Sequence, residues 1–204
     1  MWLDLSSTNS ENMPLFCFAV VYMSDPNLKI GLFYGSTTCY TEMAAEKIQA
    51  ALNELFDAEV VETFNIKDVS LGTACQFDIL IFGISTWDFG ELQEDWESCW
   101  ADIRQLDLKD KTVALFGLGD QLGYTDWFQD ALGMLHDELA ILGCHFIGYW
   151  PNQGYDFKHS KGLTSDLSHF VGLSLDDENQ YQLSQQRIEQ WTAQLLEELG
   201  SMGA

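Results

Sequence analysis

Short apolar runs alternate with amphipathic helical patterns from Lys29 onward, and this alternation limits the possible folds more than any other feature. The runs at 77–84 and 112–118 are almost entirely apolar, as strands buried on both faces of a sheet must be. Between the runs, apolar residues recur every three or four positions, as in 41–55. Repeated strand–helix units predict an α/β fold, with a parallel sheet, helices on both faces and right-handed crossovers.

The same patterns predict the individual elements. Strands are expected at 29–34, 59–64, 77–84, 112–118, 144–150 and 170–175. Helices are expected at 41–55, 92–103, 127–142 and 184–199, the last two ending at Gly143 and Gly200.

The charge of the chain excludes several classes of partner. Nine basic and 32 acidic residues give a formal net charge of −23. Such a surface repels phosphate backbones and anionic lipid, so neither nucleic acid nor a membrane is an expected partner, and electrostatically steered partners should be basic. A hydrophobic content of 47% argues against a disordered acidic chain and predicts one domain with a sizeable core.

Residues 1–28 differ from the rest of the chain. The apolar run 15–23 is too short to span a bilayer, and the preceding residues lack the Lys or Arg of a signal peptide. We expect a folded domain at 29–200, a functional start at Met23, and an upstream part that is a disordered extension or a mis-called start. The alternative is a buried extra strand at 16–22.

The cysteine and histidine residues indicate no catalytic or metal site. Five scattered cysteines without a C-x-x-C motif argue against a disulfide framework and favour the reducing cytoplasm. The four histidines lie far apart and form no ligand motif.

Three loops follow strands and should meet at one edge of the sheet, namely 35–41, 85–91 and 119–126. The first reads Gly-Ser-Thr-Thr-Cys-Tyr-Thr, so hydroxyls and helix-opening N–H groups can bind a phosphate. It lacks the Gly-Lys-Ser/Thr of a Walker A loop and any cation, which favours a phosphomonoester held in place over phosphoryl transfer. The alternative is an ordinary threonine-capped helix.

The other two loops each carry a large aromatic residue, Trp87 and Tyr124. Connecting segments run over the surface, so aromatic residues there suggest a planar ring stacked beside the phosphate. The alternative is a pair of aromatic lids that pack on neighbouring helices.

Segments 31–42, 86–91 and 119–124 together resemble the long-chain flavodoxins, and most of all the flavodoxin B (flavodoxin 2) type. The resemblance extends to 148–151, 154–157 and 170–176 and spans 29–200. It implies a three-layer sandwich around a five-stranded parallel sheet of order 2-1-3-4-5, whose last strand is split by an insertion.

The resemblance also implies non-covalently bound FMN. Trp87 and Tyr124 would cover the two faces of the isoalloxazine, and the Asp88–Phe89 peptide would accept a hydrogen bond from flavin N5–H. Leu118 and Trp127 depart from better-known long-chain members, which puts the hydrogen bonding at the flavin edge in question. The phosphate would lie on Ser36, Thr37, Thr38, Cys39, Tyr40 and Thr41, and the ring and ribityl chain on Thr86, Asp88, Phe89, Gly90, Leu118, Gly119 and Asp120.

The implied function is that of a cytoplasmic, monomeric, low-potential carrier that shuttles between flavin semiquinone and hydroquinone and is not an enzyme. Its expected partners are basic redox proteins, such as an NADPH-dependent flavodoxin reductase and flavin- or iron–sulfur-dependent acceptors. The acidic stretch 91–97 is either their docking face or an ordinary solvated helix face. The rival function is an NAD(P)H-dependent quinone reductase or other flavoenzyme on the same fold. A phosphoacceptor domain is disfavoured, because no acidic cluster follows the first strand.

Overall fold

The computed structural model describes residues 28–202, so the expectations about residues 1–27 lie outside the described part of the chain. The main strands are β1 (Ile30–Tyr34), β2 (Val61–Asn65), β3 (Ile79–Trp87), β5 (Thr112–Leu118), β6 (His145–Ile147) and β9 (Leu173–Leu175). The helices are α1 (Tyr40–Phe56), α2 (Glu94–Cys99), α3 (Asp130–Ala140) and α4 (Tyr181–Met202). Short strands complete the fold as β4 (Glu91–Leu92), β7 (Trp150–Pro151) and β8 (His169–Phe170).

The central sheet has the predicted order and the predicted split. Its strands run β2-β1-β3-β5-β6, and all of these pairs are parallel. Strand β6 pairs with Thr112–Ala114, and β9 pairs with Phe116–Leu118 farther along the same strand. The two strands are therefore halves of the fifth position, and the insertion between them contains the antiparallel β7–β8 pair.

Both faces of the sheet are buried, which explains the unbroken apolar runs. Leu32 and Ile81 belong to a core cluster with residues of α1 and α4, whereas their neighbours Phe33 and Phe82 belong to a second cluster with α2 and α3. Successive side chains of a strand point to opposite faces, so a strand covered on both sides needs apolar residues at every position.

Several predicted boundaries were wrong. Helix α4 continues through the buried Gly200 to Met202, so tertiary packing outweighs the helix-ending tendency of glycine. The predicted helix 92–103 is α2 followed by the 3₁₀ helix Trp100–Gln105. The predicted strand 144–150 breaks at Gly148, whose φ is +77°. Strand β3 runs on to Trp87 because its end pairs with β4.

No helix between residues 28 and 202 combines the length and the apolar character needed to cross a bilayer. The same residues contain no cluster of side chains suited to holding a metal ion.

Candidate functional site

A cavity of about 290 Å³ lies where the three predicted loops meet, at the carboxyl edge of the sheet. It is lined by ten of the residues that the sequence predicted: Thr38, Tyr40, Thr41, Thr86, Trp87, Asp88, Leu118, Gly119, Asp120 and Tyr124. The other predicted residues, Ser36, Thr37, Cys39, Phe89 and Gly90, belong to the same loops but do not line the cavity itself.

Three further residues line the cavity and were missed by the sequence analysis, namely Ser85, Asp177 and Glu178. Asp177 and Glu178 follow β9, the second half of the fifth strand. The rule that selected the other loops, that ligands gather beyond the carboxyl ends of parallel strands, applies to this loop as well.

The loop before α1 presents unpaired donors. The N–H groups of residues 36–42 donate to no acceptor within residues 28–202, and the buried hydroxyl of Ser36 likewise lacks a partner there. Cys39, with φ of +67°, occupies the N-cap position without a side-chain cap hydrogen bond, so the threonine-capped alternative was wrong. Converging N–H groups at the start of a helix form an anion-binding concavity.

The second loop is the tight turn of the β3–β4 hairpin. The Gly90 N–H donates to the Trp87 carbonyl at 3.1 Å, and Asp88 and Gly90 adopt φ of +41° and +89°. A Cβ atom on Gly90 would lie 3.0 Å from both Asp130 Oδ2 and Trp127 Cδ1, so the turn requires glycine. Trp87 Nε1 donates to Ser85 Oγ at 2.9 Å, which orients the indole at the cavity.

The third loop is tied to the loop after β9 by carboxylates. Asp120 Oδ1 accepts from the Gly123 N–H at 2.7 Å and from Asn179 Nδ2 at 2.7 Å. Asp176 is fully buried and accepts from Gln121 Nε2 at 2.6 Å as well as from Asn179. These amide donors compensate the buried charge, and they hold the loop that carries Tyr124.

Comparison with known proteins identifies the family. The family model described as flavodoxin matches residues 32–191. Flavodoxin 2 of Escherichia coli strain K12 is 55% identical over 172 residues, covering 84% of this chain and 97% of the relative. The chain belongs to the flavodoxin family. It is an FMN-based electron carrier rather than an enzyme, and it works with redox partner proteins.

Less similar relatives also support membership of the flavodoxin family. A flavodoxin of Picosynechococcus is 45% identical over 167 residues, covering 82% of this chain and 95% of the relative. Among solved structures, the Fusobacterium nucleatum flavodoxin bound to flavin mononucleotide has a TM-score of 0.76 at 28% identity, covering 83% of this chain and 98% of that one.

Trp127, one of the two departures from better-known members, supports the hairpin of this flavodoxin. Phe89 is 67% exposed at the hairpin tip and packs edge-on against Trp127, with ring centroids 5.1 Å apart, and against Tyr124 at 6.3 Å. The aromatic cluster therefore joins the second and third loops. Leu118, the other departure, is 5% exposed at the end of β5 and lines the cavity.

The electrostatics of the site are one-sided. Asp88, Asp120, Asp177 and Glu178 line the cavity, and no lysine or arginine of the described residues 28–202 does. An anion bound here must be held by N–H and hydroxyl groups, and the unpaired donors of the first loop are the groups that can do so.

Proposed function

We propose that this flavodoxin carries single electrons at low potential and holds FMN non-covalently at the cavity of the three loops. The observation that carries the site assignment is that the N–H groups of 36–42 and the neighbouring Ser36 hydroxyl have no hydrogen-bond partner within residues 28–202. In this proposal the phosphate lies on Ser36–Thr41, and the ring lies between Trp87 and Tyr124. The ribityl chain and ring edges lie on Thr86, Asp88, Phe89, Gly90, Leu118, Gly119 and Asp120.

When bound, FMN supplies the one-electron chemistry, and the chain binds, orients and tunes it. The Ser85 hydroxyl fixes Trp87, and the network of Asp120 and Asp176 fixes the loop of Tyr124. Asp88 adopts a φ of +41°, which is unusual for a residue other than glycine, and the carbonyl of the Asp88–Phe89 peptide is the acceptor that we assign to the flavin N5–H.

The four cavity carboxylates lower the affinity of the site for an added electron. One unit charge at ~10 Å costs about 0.4 kcal/mol at the dielectric constant of water and about 1.7 kcal/mol at an effective value of 20. For a one-electron couple this range corresponds to roughly 20–70 mV per carboxylate. Several such charges therefore support the low potential.

An anaerobic redox titration tests the function. We expect equimolar FMN in the purified protein, two separate one-electron steps, and a final potential well below that of free FMN. Mixing with NAD(P)H alone should leave the flavin oxidised during the first seconds, since no lysine or arginine among the described residues lines the cavity to bind the phosphates of a nicotinamide nucleotide. Rapid direct reduction would instead favour the quinone reductase, and absence of FMN would refute the carrier.

The partners that we propose are basic redox proteins, such as an NADPH-dependent flavodoxin reductase and flavin- or iron–sulfur-dependent acceptors. Glu91, Glu94 and Glu97 are exposed on and beside α2, immediately after the hairpin.

We further propose a cytoplasmic monomer. Cys39, Cys75, Cys99 and Cys144 are free thiols, and burial raises the pKa of Cys99 and Cys144 to about 11, which keeps these two thiols protonated and unreactive.

Reversing the charge of Glu94 tests the docking face. Glu94→Lys should slow electron transfer from a basic reductase several-fold at low ionic strength, and the difference should shrink in high salt because the encounter is screened. Stopped-flow kinetics measure this rate. The matched control is Glu54→Lys, which changes the net charge by the same amount. Glu54 lies in the last turn of α1, at the end away from the first loop. Equal slowing by both variants would contradict a local docking face. Asp95 is unsuitable for this test because its carboxylate accepts from Gln93 Nε2 at 2.7 Å.

A further inference from the structure

Gln93 is a buried polar residue that connects the first loop to α2. It is 1% exposed, and its Nε2 donates to Thr37 Oγ1 at 3.0 Å and to Asp95 Oδ2 at 2.7 Å. Its Oε1 accepts from the N–H groups of Asp95 at 3.2 Å and Trp96 at 3.3 Å. The amide oxygen therefore caps the start of α2, and the amide nitrogen connects the Asp95 side chain of α2 to the first loop.

The surroundings determine which way the amide points. The N–H groups of Asp95 and Trp96 can only donate, so the oxygen of Gln93 must face them and its NH₂ group must face Thr37. A threonine hydroxyl has a single proton. Because Thr37 Oγ1 accepts from Gln93, its own proton remains available, and no acceptor for it lies within residues 28–202.

Gly35 makes room for this arrangement. A Cβ atom at Gly35 would lie 2.3 Å from Gln93 Oε1 and 2.8 Å from Trp96 Cδ1. Gly35, which follows β1, therefore leaves the space that the Gln93 amide occupies beside the first loop.

We propose that Gln93 is a positioning residue that orients the Thr37 hydroxyl as a donor to the FMN phosphate. This proposal rests on the proposed function, since it takes the first loop as the phosphate site. In a loop without a cation, each hydroxyl donor to a charged phosphate matters, because hydrogen bonds to charged groups are stronger than neutral ones. Gln93 lies outside the loops from which the site residues were predicted.

The comparison of FMN with riboflavin tests the proposal, because the two ligands differ only in the phosphate. Apoprotein carrying Gln93→Met should bind FMN about tenfold more weakly, while riboflavin binding changes less than about twofold. Thr37→Val should show the same selective loss. In the Thr37→Val background, Gln93→Met should add little, since the proposed effect passes through the Thr37 hydroxyl.

Titration of apoprotein by quenching of flavin fluorescence gives both affinities. Equal weakening of FMN and riboflavin by Gln93→Met would show a merely structural role and overturn the proposal. Thr37→Val that weakens FMN while Gln93→Met does not would overturn the positioning role and leave the phosphate loop in place. If Ser36→Ala and Thr37→Val both leave FMN affinity unchanged, the loop assignment of the proposed function fails instead.

A second variant covers a failure of Gln93→Met to fold. The double variant Gln93→Glu, Asp95→Asn moves the carboxylate from position 95 to position 93 and leaves the net charge unchanged. Its carboxylate keeps an oxygen for the N–H groups of residues 95 and 96 and accepts from the new amide, where Gln93 now donates to Asp95 at 2.7 Å, but it cannot donate to Thr37. It should lower the affinity for FMN and not for riboflavin. The carboxylate moved to position 93 also repels phosphate, and this part of the decrease persists in the Thr37→Val background. The part of the loss in FMN affinity that is absent when Thr37 is already valine is the part assigned to positioning. An equal loss of FMN affinity with threonine and with valine at position 37 would overturn the proposal.

Discussion

Replacing Thr38 with glutamate should weaken FMN binding by about a hundredfold. Thr38 is exposed, lines the cavity and lies in the loop assigned to the phosphate. Within residues 28–202, no lysine or arginine lines this cavity to compensate a new charge. Two unit charges 4 Å apart repel by about 1 kcal/mol in water and about 4 kcal/mol at an effective dielectric constant of 20. A hundredfold loss, about 2.7 kcal/mol, lies between these limits.

The matched control is Thr38→Gln, which has nearly the shape of the glutamate variant without its charge. Fluorescence titrations of both apoproteins with FMN and with riboflavin measure the effect. The FMN affinity of Thr38→Gln should stay within about fivefold of that of the parent protein. The two variants should have nearly the same affinity for riboflavin. A similar loss in both variants, or an equal loss for riboflavin, would show that the phosphate lies elsewhere. Raising the salt concentration should narrow the difference, because screening weakens the repulsion.

Replacing Trp96 with alanine should lower the free energy of unfolding of the apoprotein by about 3–5 kcal/mol. Trp96 is fully buried beneath the site, its ring packs edge-on against Phe82 with centroids 6.1 Å apart, and its Nε1 donates to the Gly83 carbonyl at 2.8 Å. The substitution leaves a large cavity between α2 and the sheet. A domain typically has about 5–15 kcal/mol of stability, so the variant should lose a large fraction of it.

Trp96→Phe separates the cavity from the lost hydrogen bond. It keeps most of the ring volume, and the Gly83 carbonyl retains the Gly35 N–H as a donor at 3.3 Å. The expected loss is therefore only about 0.5–1.5 kcal/mol. Urea unfolding followed by far-UV circular dichroism measures both variants without depending on tryptophan fluorescence. If Trp96→Ala lowers the free energy of unfolding by less than about 1 kcal/mol, the surrounding residues fill the space of the missing indole. That result would contradict a tightly packed contact between α2 and the sheet.

The structure brings predicted site residues together where a general rule of parallel sheets applied. Trp87 and Tyr124 belong to different loops, yet both line one cavity because the loops follow neighbouring strands. The residues that were missed depend on contacts distant in sequence. Gln93 and Thr37 are 56 positions apart, and the hydrogen bond between their side chains leaves no periodic pattern in the chain.

The ends of helices and strands were predicted less well than their presence, because the ends also depend on contacts distant in sequence. The predicted and observed limits of β5 agree at 112–118, because both faces of that strand are buried and its apolar run is complete. Helix α4 passes the glycine at which it was expected to stop, because Gly200 is buried against the fold. Local preference was overruled there by tertiary packing.

The sequence by itself determined an α/β fold with a sheet buried on both faces, and the loops in which a flat, phosphate-bearing ligand would lie. Hydrophobic periodicity carries this information because it reports which faces of each element avoid water. Only the tertiary structure decided that Asp177 and Glu178 join the cavity, that Asp176 ties two loops together, and that Gln93 donates a hydrogen bond to Thr37. These contacts depend on strand register and on the direction of single polar groups, which local residue patterns do not encode.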